Sequence, residues 1–448
     1  MSPVLTIDRS RLAGTPAAML VAPDHVPVPF AERRLRNGLR VIVHEDHSAP
    51  IVAVHAMYHV GSKQDPPGLT GLAHMVEHLL YRGSRHVPEG DYATHIQNAG
   101  GVFNGSTSFD RTNFFCVVPV NALELALWLE SDRMGFALSA LTERTFSAQR
   151  SVIQNERRQQ IENQPYGQWL EQVLTLLFPA GHPYAHSPIG SVTDLRHTLL
   201  DDARDFLRTH YGPNTCTLVL AGDVTPALAW QLAERYFGGI PPVPPQAAAR
   251  PTRVAVTEER RLTLVEPVAV PRIYIAYHAP RWPAPETPPL VLATHVLAGG
   301  RHSRLYRELI YRRRIAQEAS AIKWQELELT GLVLVVLTGK PDTDPAELLA
   351  AYDAEVDQLV AGGITADELI HARSQAQLAC IDRLQDVAGR ADALAHAAVL
   401  LDDPGYVARE QAILRDVTAE AVREAVERHL PRAGRVIVTI APGAAHHG

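Results

Sequence analysis

The two halves of this chain end in segments with the same order of elements, and this repetition restricts the fold more than any other feature. Residues 191–222 read SVTDLRHTLLDDARDFLRTHYGPNTCTLVLAG, and residues 412–442 read AILRDVTAEAVREAVERHLPRAGRVIVTIAP. Each segment has an Asp or Thr that can cap a helix, a helix with an apolar stripe, a breaker and a β-rich run. Such an internal echo is typical of a duplicated α+β unit.

A proline-rich segment separates the two halves near the middle of the chain. Residues 238–252, GGIPPVPPQAAARPT, contain five prolines and no periodic apolar pattern, as expected of an extended linker. We therefore predict four parts, which are an N-terminal extension at 1–30, a first domain at 31–238, a linker at 239–252 and a second, homologous domain at 253–448.

Strand-like and helix-like patterns alternate in the first half. LRVIVHED and IVAVHAMYHVGS read as strands before a helix over about 69–81, and GVFNGSTS and TNFFCVVP read as a second strand pair before helices over roughly 121–135 and 142–163. This order predicts an α+β protein with two homologous two-layer domains. Each domain is expected to be a mixed, mostly antiparallel sheet with helices on one face.

The composition excludes several classes of function. Hydrophobic residues make up 46% and charged residues 20% of the 448 residues, as in ordinary globular proteins. The formal net charge of −7 indicates no basic surface for nucleic acid or for an anionic membrane. Because neither a run of about 18 apolar residues nor a signal-peptide pattern is recognisable, we predict a cytoplasmic protein without a membrane span. Cys116, Cys216 and Cys380 are far apart in apolar settings and are predicted to be buried free thiols.

Residues 70–81, TGLAHMVEHLLY, place two histidines one helical turn apart. On a helix, His74 and His78 face the same side and can bind one tetrahedral cation. Glu77 borders that side, where it can serve as a general base toward a water whose pKa zinc lowers to about 7. The opposite interpretation is an exposed helix that carries the pattern by chance, because polar pairs at i and i+4 are common there. A separate apolar side is predicted to bury the helix, and it consists of Leu72, Val76 and Leu79.

A catalytic zinc site needs a third protein ligand. Glu156 is the first choice, because Val152 and Ile153 precede it by four and three residues and predict that its carboxylate faces inward. Glu162 lies about 240° further round the helix and is predicted to be solvated. Spacing alone leaves three other acidic residues open, namely Glu124, Glu130 and Glu143.

Several segments match a known family in order along nearly the whole chain. They are LRNGLRVIVHED, GLTGLAHMVEHLLYRGS, NAGGVFNGSTSFDRTNFF, RSVIQNERRQ and GHPYAHSPIGSVTDL. The His-x-x-Glu-His order is the inverzincin motif, and the interval from His78 to Glu156, 156 − 78 = 78 residues, is similar to that of the family. The chain thus resembles the pitrilysin/insulinase metallopeptidases, most closely the branch that includes the mitochondrial processing peptidase.

The resemblance implies a fold like that of the mitochondrial processing peptidase and one zinc ion per chain. His74, His78 and Glu156 would be the metal ligands, and Glu77 would be the catalytic base. The strand GVFNGSTS would be a sheet edge that captures an extended peptide by β-augmentation, with Phe103, Asn104 and Gly105 as substrate-binding residues. Gly101 and Gly105 suit a close backbone approach better than they suit a central strand.

The chain departs from the family pattern in three places. The second half lacks the histidine motif and is expected to bind no metal. Active relatives carry an arginine and, seven positions later, a tyrosine that hold the substrate, and this chain has Ile310 and Gln317 there, 317 − 310 = 7. Gln149 replaces a glutamate that relatives often carry seven residues before Glu156. Gly105, the third departure, replaces the usual alanine.

These departures favour the catalytic member of a two-subunit zinc endopeptidase, whose homologous partner supplies the missing arginine and tyrosine. The substrates would be short or unfolded peptides, including leader or targeting segments. A homodimer, or a register shift that brings in a neighbouring residue, is the alternative arrangement of the substrate site. The alternative functions are a non-catalytic scaffolding subunit and a dedicated maturation protease for a small peptide precursor. The residues open to such a register shift are Arg307, Tyr311, Arg312 and Arg313.

Overall fold

The computed structural model describes residues 26–245, 254–324 and 327–443. Its strands form a six-stranded sheet in the order β1-β2-β6-β3-β5-β4 and a five-stranded sheet in the order β7-β11-β8-β10-β9. The strands are β1 (Ala31–Arg34), β2 (Arg40–Glu45), β3 (Ile51–Tyr58), β4 (Val102–Thr107), β5 (Thr112–Pro119), β6 (Cys216–Gly222), β7 (Arg260–Glu266), β8 (Arg272–Ala279), β9 (Ala316–Trp324), β10 (Gly331–Gly339) and β11 (Arg435–Pro442).

Helices follow the strand pairs in both halves. They are α1 (Leu72–Leu80), α2 (Asp91–Asn98), α3 (Leu123–Phe136), α4 (Glu143–Arg157), α5 (Trp169–Leu177), α6 (Val192–His197), α7 (Leu200–His210), α8 (Pro226–Phe237), α9 (Thr287–Ala298), α10 (Pro345–Gly362), α11 (Ala366–Arg383), α12 (Val387–Leu401), α13 (Tyr406–Asp416) and α14 (Ala419–His429). Two π-helical turns occur at Arg158–Glu162 and Tyr306–Arg312. No helix in these described ranges is long and apolar enough to cross a membrane.

The two sheets have the same topology once β1 is set aside. In the first, β6 pairs parallel with β2 and antiparallel with β3. In the second, β11 pairs parallel with β7 and antiparallel with β8. Both strands follow two short helices and a 3-10 turn, in the segments that repeat in the sequence. The predicted α+β fold with two homologous domains is therefore confirmed.

One helix from each half packs against the sheet of the other half. The apolar side of α12, with Leu394 and Ala395, packs on the first sheet, where its cluster includes Met57 on β3 and Val219 on β6. Equivalently, α5 packs on β8 and β11 of the second sheet, where Trp169 stacks on Tyr274 with ring centroids 4.8 Å apart. The helices of each half cover one face of their own sheet, and the exchanged helix covers the opposite face.

Several local predictions can be compared with these elements. The helix that carries the histidine motif, α1, begins at Leu72 and is shorter than predicted. Its apolar side is buried, as expected. The three cysteines are buried free thiols, as predicted. Residues 1–25 of the predicted extension, residues 246–252 of the predicted linker and the first residue of the predicted second domain, 253, lie outside the described residues. The residue bounds of the two domains stay a prediction.

Candidate active site

The helix α1 starts from a tightly held loop. Its N-cap, Gly71, has φ 93°, a left-handed conformation that favours glycine. The buried carboxylate of Asp65 accepts hydrogen bonds from the backbone N–H groups of Gly71 (2.7 Å) and Ala73 (2.8 Å), which would otherwise be unsatisfied at a helix N-terminus. Asp194 accepts from the backbone N–H (3.1 Å) and the hydroxyl (2.5 Å) of Thr70. These bonds set where the motif helix begins.

The two motif histidines and the predicted third ligand come together. The Nε2 atom of His78 lies 3.4 Å from Oε2 of Glu156, and Nε2 of His74 lies 3.9 Å from the same oxygen. One ligand atom from each of the three residues lies within 4.8 Å of the other two. Zinc bound tetrahedrally at about 2.0–2.1 Å keeps its ligand atoms about 3.4 Å apart. Two imidazoles and one carboxylate at these separations fit a zinc ion.

The protonation states of this group also suit metal ligation. Burial, together with the neighbouring His78, lowers the pKa of His74 to about 4, so its imidazole is neutral at pH 7. The hydrogen bond from His78 holds the pKa of Glu156 below its usual range, although burial works in the opposite direction. The site thus presents a neutral imidazole and an anionic carboxylate, the forms that bind zinc.

The reasoning that predicted Glu156 from the apolar residues Val152 and Ile153 was partly wrong. Ile153 is fully buried as predicted, but Val152 is 44% exposed and lies on the outer side of α4. Glu156 is half-buried, between the exposure of Val152 and that of Ile153, on a helix that contacts α1. Glu162 is exposed, as predicted, and lies near Arg157.

The other acidic residues left open by spacing are elsewhere. Glu130 is buried beneath the site, where it accepts a hydrogen bond from Tyr92 (2.6 Å) and pairs with Arg133 (3.2 Å). Glu124 binds Arg235 and the hydroxyl of Tyr236. Glu143 begins α4, one residue after the Thr142 cap and more than three helical turns before Glu156.

The carboxylate of Glu77 is buried and bound by a residue that the sequence analysis missed. Thr107, at the end of β4, donates its hydroxyl to Oε2 of Glu77 at 2.6 Å. Burial raises the pKa of Glu77, while the Thr107 hydrogen bond lowers it. Strand alternation was the available signal, because Thr107 shares a face with Phe103 and Gly105, which were singled out.

A cavity of about 550 Å³ opens between α1, α2, α4 and β4. The strand β4 forms one wall and is the edge of the first sheet, as the family resemblance implied. Phe103 packs against Tyr81 and Tyr92, with ring centroids 5.6 Å and 5.2 Å apart. The side chain of Asn104 is exposed and accepts a hydrogen bond from the backbone N–H of Gly105 (2.9 Å). The lining includes His74, Glu77, His78, Phe103, Asn104, Gly105, Thr107 and Glu156.

Gln149, the uncharged replacement on α4, is buried. Its Oε1 atom has no hydrogen-bond partner within the described residues. The Nδ1 atom of His74 is likewise buried without a partner in the described part of the chain. The side chain at this position of α4 is therefore neutral and adds no negative charge to the metal environment.

The two residues that stand where relatives carry the substrate-holding arginine and tyrosine lie in the second half, at the edge of its sheet. Ile310, in the π-helical turn, is half-buried against the second core. Gln317 is exposed on β9, the edge strand equivalent to β4. Tyr311 is 75% exposed, whereas Arg312 and Arg313 pair with Glu308.

The two-domain fold with its internal repeat, and the His-His-Glu cluster beside an edge strand, are the features that the family resemblance implied. Two family models match the chain, namely Insulinase (Peptidase family M16) over residues 40–181 and the Peptidase M16 inactive domain over residues 198–376. Together they cover most of the sequence. The chain belongs to the insulinase family of peptidases, family M16.

Individual relatives agree with this membership. The zinc protease PqqE of Helicobacter pylori is 28% identical over 362 residues, which are 79% of this chain and 81% of that protein. The mitochondrial-processing peptidase subunit beta of Caenorhabditis elegans is 25% identical over 222 residues, 49% of this chain and 47% of that one. The crystal structure of a protease from Helicobacter pylori matches the fold with a TM-score of 0.87 at 24% identity, covering 93% of this chain and all of that chain.

Proposed function

We propose that this chain is a zinc-dependent endopeptidase, one that carries its own catalytic site. The observation that carries the proposal is the meeting of His74, His78 and Glu156 beside Glu77 on the edge of a sheet. The zinc proteases among the relatives support it. The insulinase match also spans all four residues, whereas the inactive-domain match begins after them.

His74, His78 and Glu156 would hold one zinc ion, which, when bound, supplies Lewis-acid polarisation of the scissile carbonyl and of water. Glu77 acts as the proton carrier. Its carboxylate takes a proton from the attacking water and passes it to the leaving amine, as a general base and then a general acid. Thr107 restrains that carboxylate, because its hydroxyl donates to one oxygen and leaves the other available.

The substrate would bind as an added strand along β4. An edge strand offers unpaired main-chain groups, so peptides are bound with little dependence on sequence. Asn104 holds the N–H of Gly105 in the free chain, and a peptide carbonyl would replace this side chain. Phe103 would line the cavity on the face that contains Glu77. Short or unfolded peptides, including leader or targeting segments, are the substrates that this mode accepts.

A homologous partner subunit would complete the site. Neither Ile310 nor Gln317 can donate the charged or phenolic groups that they replace. The partner would contribute the arginine and the tyrosine that hold the substrate backbone. A homodimer is the second arrangement, and a register shift that brings in a neighbouring residue such as the exposed Tyr311 is the third.

The test compares the purified chain, alone and with the protein that co-purifies, to a Glu77→Gln variant. We expect one zinc per chain by elemental analysis in both proteins, and cleavage of unstructured peptides by the wild type only. Glu162→Gln is the matched control, because this glutamate is exposed and outside the cavity. A chain without stoichiometric zinc, or equal cleavage by Glu77→Gln, would refute the proposal and favour a scaffolding subunit.

A further inference from the structure

The strand β4 is held from both faces at consecutive residues. On the face toward α1, Thr107 donates to Glu77. On the opposite face, Arg111 donates through one terminal nitrogen, Nη1, to the backbone carbonyl of Ser106 (2.9 Å) and to the Ser106 hydroxyl (2.6 Å). That hydroxyl in turn donates to Oδ1 of Asn113 on β5 at 2.8 Å. The end of the proposed peptide-binding strand is thus pinned beside the proposed base.

The same arginine reaches across to the second half of the chain. Its Nε donates to Nε2 of His396, on α12, at 3.2 Å. Since Nε2 accepts, the ring carries its proton on Nδ1, which lies 3.0 Å from the carbonyl oxygen and 3.3 Å from the carboxylate of Asp392. The carbonyl oxygen and the carboxylate of Asp392 therefore both favour the tautomer that accepts from Arg111.

The two histidines beside this bridge are closed to solvent, whereas the side chain of Asp392 is 36% exposed. His396 is 5% exposed and His55, on β3, is 2% exposed. His55 lies 3.8 Å from Asp392 and 3.2 Å from the amide of Asn113. The buried members of this polar chain lie between a sheet and the helix exchanged from the other half, and they have few ways to rearrange, because a bond broken there leaves an unsatisfied group.

We propose that Arg111 is a positioning residue for catalysis, oriented by the Asp392–His396 pair, through which the second half holds the peptide-binding strand against Glu77. This role rests on the proposed peptidase function. It gives the half that carries no histidine motif a direct part in the active site. The planar guanidinium suits the task, because its Nε and Nη1 groups point to His396 and Ser106 at once. A lysine ammonium is a point charge and cannot span both acceptors.

The experiment measures kcat and KM for an unstructured peptide with full-length Arg111→Lys, His396→Phe and the double variant, beside Arg208→Gln as a control on an exposed helix face. Each single variant should lose about tenfold in kcat/KM. KM should rise because strand pairing with the peptide is weakened, and kcat should fall because Thr107 is held less firmly against Glu77, while the metal ligands are untouched. The double variant should lose no more than Arg111→Lys alone, because both changes break one bridge. Zinc content should be unchanged.

Hydrogen exchange of residues 102–107 gives a readout that does not need activity. Exchange should be faster in both single variants than in the wild type and the control. Wild-type activity in Arg111→Lys, losses that multiply in the double variant, or unchanged exchange would overturn the positioning role. If the wild type itself binds no zinc and cleaves nothing, the proposed function fails, and the exchange comparison still decides whether the bridge holds β4.

Discussion

Replacing Thr107 by valine tests how the proposed base is held. The change removes one hydroxyl and keeps the volume and the β-branched shape that suits a strand. The hydroxyl donates to the buried Glu77 carboxylate at 2.6 Å. A hydrogen bond to a charged group contributes roughly 1.5–3 kcal/mol.

The expected loss of activity follows from that bond. The bond holds the Glu77 carboxylate in one orientation, and if the freed carboxylate must regain that orientation to take the proton, a penalty of about 2 kcal/mol corresponds to about a thirtyfold lower kcat. Water that replaces the hydroxyl would reduce the loss, so we expect a kcat between about tenfold and thirtyfold below the wild type. Zinc content should not change, because Thr107 lies outside the His74, His78 and Glu156 cluster. The conservative variant Thr107→Ser keeps the donor and should retain most of the activity.

The assay is steady-state cleavage of an unstructured peptide by the chain together with its co-purifying partner, with zinc measured on the same samples. Thermal unfolding checks that the variants fold. The reasoning about Glu77 is refuted if Thr107→Val cleaves within twofold of the wild type while Glu77→Gln is inactive. It is also refuted if Thr107→Ser is as impaired as Thr107→Val, since the hydroxyl would then not be the relevant group.

Two further predictions concern stability. Burial lowers the pKa of Lys323 from 10.5 to about 8, so the folded chain binds fewer protons than the unfolded chain between these pH values, and its stability rises with pH across that window. The variant Lys323→Met should therefore be about 2–3 kcal/mol more stable than the wild type at pH 7, as measured by urea unfolding. A stability advantage of the variant that does not shrink between pH 8 and 10 would contradict this prediction. Gly190 has φ 73°, and an added Cβ would lie 2.1 Å from the carbonyl oxygen of Thr70, in the loop that starts α1. Gly190→Ala should therefore lower the melting temperature by several degrees and weaken zinc binding. The control is Gly181→Ala, at φ 82° with open space around it, which should lower the free energy of unfolding by only about 1 kcal/mol. Equal effects of the two substitutions would show that the contact with Thr70 is unimportant.

The architecture followed from the sequence because it depends on local periodicity. The repeated helix, breaker and strand pattern predicted two equivalent units, and the topologies of β6 and β11 agree. The exchange of α5 and α12 did not follow, because an apolar helix side shows that it is buried without showing what covers it. Helix packing between the halves supplied that partner.

In the candidate site, too, part of the arrangement followed from spacing in the sequence and part depended on how the helices pack. His74, Glu77 and His78 lie within slightly more than one helical turn. Their spacing alone therefore determines that they share a side of α1. Which glutamate joins them depended on how α4 docks on α1, and the exposed Val152 shows that periodicity placed Glu156 for a partly wrong reason.

The sequence by itself determined the motif, the side of the helix that presents it and the duplicated fold, since each is set by residues a few positions apart. The tertiary structure alone decided that Thr107 binds Glu77 and that Arg111 meets His396, 285 positions later. Side-chain hydrogen bonds between distant segments require that sheets and helices first pack in one arrangement. No local spacing encodes which donors and acceptors that packing brings within about 3 Å.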